Sequence, residues 1–120
     1  MSRMQDHRRL RVWQRATDNA VAIYDLTRSF PKHEQFGLSQ QMRRSAVSIA
    51  SNIAEGAGRE SRADFRRFCF IALGSAHELE CQLEIAFRLG FGSGHSERLT
   101  DTAELIRMLG SLVQALDTAG

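Results

Sequence analysis

The stretch from Phe36 to Gly90 constrains the chain most: two helical patterns joined by the glycine-rich elbow Glu55-Gly-Ala-Gly-Arg-Glu-Ser61. Each pattern carries apolar residues on more of its circumference than one core can bury. The first covers residues 39–55. Leu38, Met42, Ser45 with Ala46, Ile49 and Ile53 recur at three- and four-residue steps, the period of one helix face. Val47, Ala50 and Ala54, with Arg43 at their end, form an opposite side, and Gln40, Arg44, Ser48, Ser51 and Glu55 make a polar strip between. The second pattern covers residues 62–89. Phe65, Phe68, Ala72, Ala76, Leu79, Leu83 and Ala86 are its main stripe, while Ile71, Ile85 and Leu89 form another beside Glu78 and Gln82. Phe70 and Cys81 fall on a third side.

A helix that is apolar on several sides is usually buried, yet 120 residues make one domain with a modest core. The surplus residues are therefore expected to meet another copy of the chain. Val47, Ala50 and Ala54 on one helix and Ile71, Ile85 and Leu89 on the next are the predicted interface of a closed, symmetric homo-oligomer.

The flanking segments complete an all-α chain. A helix over about 7–29, capped by Asp6, places Val12, Ala16, Ala20, Ile23, Thr27 and Phe30 on one face, with Trp13 and Tyr24 beside it. Phe30-Pro31 ends it, because the residue before a proline is pushed out of the helical region. Gly56 and Gly58 are expected to stop the second helix by supplying a left-handed C-cap. Ser61 followed by Asp64 resembles the capping box that opens a helix. FGSGHS breaks the chain again, and Ser96 caps a last helix over about 97–117 lined by Leu99, Ala103, Ile106, Leu109, Val113 and Leu116. Four amphipathic helices with short loops predict an antiparallel up-and-down four-helix bundle, a single domain over residues 1–120.

Several segments are also familiar. LRVWQRATDNAVAIYDLTRSFP, FGLSQQMRRSAVSIASNIAEGAGRES and RFCFIALGSAHELECQLEIAFRLG resemble the four helix bundle protein family, also called the 23S rRNA intervening-sequence proteins. SIASNIAEGAGR is the specific part. Ala50 stands where many relatives carry proline, and Cys81 where threonine is frequent. The resemblance implies an up-down bundle that assembles as a ring, typically a homopentamer. The family name records a gene location inside ribosomal RNA genes. A related family, the accessory variability determinant of diversity-generating retroelements, is similar in fold and ring, and binds reverse transcriptase and nucleic acid through a basic surface. The resemblance thus implies a binding or scaffold role, not catalysis.

Charge supports two partner classes. Residues 1–67 hold 13 Lys/Arg against 7 Asp/Glu, and residues 68–120 hold 3 against 7. A basic half attracts RNA, DNA or an acidic protein, or pairs with the other half of the fold. The elbow offers backbone amides at a helix N-terminus together with Arg59, Arg62, Arg66 and Arg67, an anion site unless capping and an Arg59–Glu55 pair account for it. Arg11 and Arg15, near Arg8 and Arg9, join Arg43 and Arg44 as a second group able to track phosphates without reading bases. The alternative is a structural module that recruits a protein partner.

Catalysis has the least support. His77-Glu78-Leu79-Glu80-Cys81 lacks the second histidine of a zincin, and His77 with Cys81 needs a further ligand to hold zinc. No catalytic residue, cofactor or metal is predicted. Cys69 and Cys81, twelve residues apart on one helix, are about 18 Å apart, too far for a disulfide. Two thiols point to a reducing cytoplasm. No apolar run reaches the roughly 18–20 residues of a membrane span, and MSRMQDHRRLRVWQ lacks a signal-peptide core.

Overall fold

The computed structural model describes residues 6–117, so expectations for the first five and last three residues, including part of the signal-peptide reading, lie outside the described residues. Four α-helices follow one another: α1 (Arg11–Thr27), α2 (Leu38–Ala57), α3 (Arg62–Arg88) and α4 (His95–Asp117). There is no strand among the described residues. Each helix packs on the next and α1 closes against α4, giving an up-and-down four-helix bundle of about 50 × 20 × 20 Å.

The main core follows the helical periodicity. Val12, Ala16 and Ile23 of α1 meet Met42, Ala46, Ile49 and Ile53 of α2, Ala76, Leu79 and Leu83 of α3, and Leu105 and Leu109 of α4. A smaller cluster of Ala57, Phe65, Cys69, Val113 and Leu116 closes the end where α2 turns into α3. Small residues let α2 and α3 approach closely, and Ser48 and Ser75 share a 2.9 Å hydrogen bond across that seam.

Four expectations change. The first helix is broken. His7–Arg9 form a 3-10 turn that Asp6 caps by accepting from the Arg8 amide at 3.0 Å, and Leu10 is extended before α1 begins. The break places Leu10 against both core clusters. Gly56 does not stop α2; it is buried inside the helix, and Gly58 caps it with an ordinary φ of −80°. A Cβ at Gly56 would lie 2.8 Å from Phe68 Cβ and 3.2 Å from the Phe65 carbonyl oxygen. Its glycine exists to let α3 in.

The left-handed cap instead follows α3. Gly90 has φ +77°, the Phe91 amide donates to the Ala86 carbonyl, and the Gly90 amide donates to the Phe87 carbonyl, the paired bonds of a Schellman motif. Finally, α4 starts at His95, so Ser96 lies inside its first turn. His95 stacks on Phe87, with ring centroids 3.6 Å apart, and its Nε2 contacts the Phe91 carbonyl. That stack begins the helix a residue before the serine. Ser61 does cap α3, accepting from the Asp64 amide at 3.0 Å.

Candidate functional site

Up-and-down topology brings the start of α1, the α2–α3 elbow and the end of α4 to one pole. Seven arginines belong to that pole: Arg8, Arg9, Arg11, Arg59, Arg62, Arg66 and Arg67. They do different things. Arg62 donates from Nη2 to the Ala115 carbonyl at 2.9 Å and from Nε to the Leu116 carbonyl at 3.3 Å. Arg66 donates to the Val113 carbonyl at 3.2 Å and lies 3.6 Å from the Asp117 carboxylate. Two predicted phosphate ligands are thus occupied on backbone carbonyls of the last two described turns of α4.

Arg59 pairs with Glu55 at 3.1 Å, as the capping reading of the elbow expected. Its guanidinium also lies 4.9 Å from the Phe68 ring centre, while that of Arg67 lies 4.5 Å from the same ring. Phe68 is thus only partly buried, covered by two cations instead of sitting in the core. Phe70, on the third side of α3, is 55% exposed. Arg9 and Arg11 are exposed and have no ion-pair partner among the described residues. Arg8 is held by Asp6. The two side-chain hydrogen bonds from Arg8, then its backbone amide, keep the Asp6 carboxyl below its ordinary pKa, and the same pairing raises that of Arg8.

The remaining predicted cations do not join this pole. Arg15 pairs with Glu104 across the α1–α4 seam. Arg43 donates to the Thr27 hydroxyl at 2.8 Å and covers the Tyr24 ring at 4.7 Å. Arg44 is exposed on the rim of α2, between the groove beside Val47 and the cleft toward Ser75 of α3. The eight predicted arginines therefore do not form one surface.

The predicted apolar contacts separate into two places. Val47, Ala50 and Ala54 form one wall of a groove of about 500 Å³ whose other wall is Trp13, Ala20, Val21 and Tyr24 of α1. The sequence pattern had placed Tyr24 beside the core stripe and left Val21 unassigned, yet they are 42% and 61% exposed. Their period was the available signal, because Trp13, Thr17, Val21 and Tyr24 recur along one side of α1. The groove continues past Val47 and Tyr24 to Phe36, itself 80% exposed. Ile71, Ile85 and Leu89 stand on the flank of α3, all exposed. The polar strip of Arg44, Ser48, Asn52 and Glu55 divides the two faces.

Among the described residues no three His, Cys, Asp or Glu side chains converge to hold a metal. His77 and Cys81 line a shallow groove with Glu80 and Glu84. Both cysteines are thiols, Cys69 buried and Cys81 exposed. No helix is long and apolar enough to cross a membrane among the described residues.

With this bundle in view, the family pattern described as 23S rRNA-intervening sequence protein matches residues 8–111. The chain belongs to that family. A crystal structure of a protein of unknown function from the S23 ribosomal protein family of Bacteroides thetaiotaomicron is similar, with a TM-score of 0.76 at 31% identity. The match covers 85% of this chain and 97% of that one. No curated protein matches. Neither description names a reaction.

Proposed function

We propose that this member of the 23S rRNA-intervening sequence protein family is a non-enzymatic assembly and binding subunit. Copies join head to tail, the α1–α2 groove of one receiving the α3 flank of the next. One observation carries this reading: the two exposed apolar faces differ in shape, lie on different sides of the bundle and are separated by a polar strip. Unlike faces pair heterologously, and a heterologous pairing that closes makes a ring. Charge favours the same junction, since Arg43 and Arg44 lie by the groove while Glu78 on the α3 flank is exposed. The resemblance supplies the count of a homopentamer, and the two thiols favour the cytoplasm.

Size exclusion with light scattering tests it. Wild-type protein is expected as a multimer, and Val21→Asp or Ile85→Asp as a folded monomer. Mixing the two variants restores one good junction, so a heterodimer is expected. A wild-type monomer at high concentration ends the proposal, and variants that fail to complement end the head-to-tail arrangement.

A second reading, nucleic-acid binding, rests on the pole. Arg9 and Arg11 lack ion-pair partners among the described residues, and Arg59 and Arg67 stand nearby. A ring repeats this cluster around its axis, suiting phosphate contacts that weaken steeply with salt. Binding of generic RNA and DNA is expected at low salt and is expected to fall in an Arg9→Ala, Arg11→Ala double variant. No affinity at low salt leaves the protein-recruiting scaffold as the function.

A further inference from the structure

The α1–α4 seam is packed less closely than the other three and contains a pocket of about 390 Å³. Arg15, Asp18 and Asn19 of α1 face Arg98, Asp101 and Leu105 of α4 across it. Asn19 is the unusual member. It occupies a core position on α1 and is 3% exposed, yet neither its Oδ1 nor its Nδ2 has a hydrogen-bond partner among the described residues. The other buried polar groups nearby are satisfied: Thr102 donates to the Arg98 carbonyl and Thr27 to the Ile23 carbonyl. A buried amide without partners carries its full desolvation cost, so its retention needs a reason.

The charges around Asn19 restrict what could pair with it. Arg98 lies 3.1 Å from Asp101 and 3.0 Å from Glu97, with its side chain 15% exposed. Arg15 pairs with Glu104. Asp18 has no ion-pair partner among the described residues. Both signs are present and carboxylates outnumber guanidiniums, so a bare anion would face repulsion. An apolar guest would leave Asn19 unsatisfied. The amide asks for one acceptor and one donor side by side, the acceptor toward a guanidinium and the donor toward a carboxylate.

We propose that this pocket binds a small zwitterion, an α-amino acid or a close analogue. The Asn19 Nδ2 and Arg98 take its carboxylate, and the Asn19 Oδ1 and Asp18 take its ammonium. One carbon bearing both groups presents the acceptor and donor at the spacing of a primary amide. The pocket opens on the side of α1 away from the assembly groove, so the inference stands independently of the oligomeric state.

Calorimetry and thermal melting of the full chain test it with glycine, alanine and serine as probes. N-acetylalanine and alanine amide, each lacking one charge, serve as controls. A zwitterion is expected to bind and raise the melting temperature, and both controls to fail. Asp18→Asn alters an exposed residue, leaves the fold intact and is expected to weaken binding about tenfold, the loss of one charge-assisted hydrogen bond. Asn19→Leu is expected to abolish binding while melting no lower than wild type. No binding of any probe at millimolar concentration overturns the proposal. Equal binding of either control overturns the zwitterion, and unchanged affinity in both variants moves the site elsewhere and overturns the assignment.

Discussion

Replacing Gly56 by alanine tests the closeness of α2 and α3. In a helix interior alanine is favoured over glycine by about 1 kcal/mol, so the substitution should stabilise the chain if nothing is in the way. Here the added methyl would stand 2.8 Å from Phe68 Cβ, 3.0 Å from Phe65 Cδ1 and 3.2 Å from the Phe65 carbonyl oxygen. Two of those atoms are fixed to the α3 backbone, so relief requires the helices to separate. Overpacking of this kind costs about 1–3 kcal/mol, and three simultaneous contacts place Gly56→Ala near the top of that range. The net expected loss is about 2 kcal/mol, or about 8 °C in melting temperature for a chain of this size. Gly110→Ala is the control. A Cβ there meets nothing within 4 Å, so a gain of about 0.5–1 kcal/mol is expected. Urea unfolding followed by circular dichroism measures both, at one fixed protein concentration because assembly makes stability concentration-dependent. A Gly56→Ala protein as stable as wild type would refute the steric account.

Arg62→Ala should destabilise the fold by about 1–2 kcal/mol by releasing the end of α4, with any loss of RNA affinity tracking the unfolded fraction. A folded variant that binds RNA poorly would return Arg62 to the nucleic-acid surface. Gly90→Ala places a side chain at φ +77° in open space, so strain alone should cost about 1–2 kcal/mol in a thermal melt, and Gly90→Asn less. An Asp6 titration followed by carboxyl NMR should give a pKa below the ordinary aspartate value, because the Arg8 side chain and then its amide bond the carboxylate. The folded pKa is depressed, so the turn's stabilisation is present above the unfolded value and is lost as pH falls through the folded one. The Arg8 amide shift should move over the same interval, and an unshifted Asp6 would remove the cap.

The periodic residues carried the bundle, as in the buried α2 face of Met42, Ala46, Ile49 and Ile53, but on α4 the core face turns to Thr102 and Leu105 and leaves the expected Leu99, Ala103 and Ile106 only partly buried. What failed was local and has a common cause. Gly56 and Gly90 are the same residue type, but one serves close approach and the other backbone handedness, and only the neighbouring helix distinguishes them. Leu10 offers no proline or glycine to announce a break. Arg62 and Arg66 looked like members of a basic patch because a helical wheel does not say whose carboxyl end lies alongside. Asn19 was legible in principle: it falls at the i+7 position after Val12, where an apolar side chain is expected. Its significance needed the α4 wall.

The two arginine contacts onto the end of α4 span 47 to 54 residues of sequence. A terminal turn held that way cannot fray independently, since loosening it means breaking bonds anchored where α3 begins. Amide exchange over residues 113–117 should therefore follow opening of the whole α3–α4 hairpin, and in folding this last turn should become protected only after that hairpin has zipped along its length.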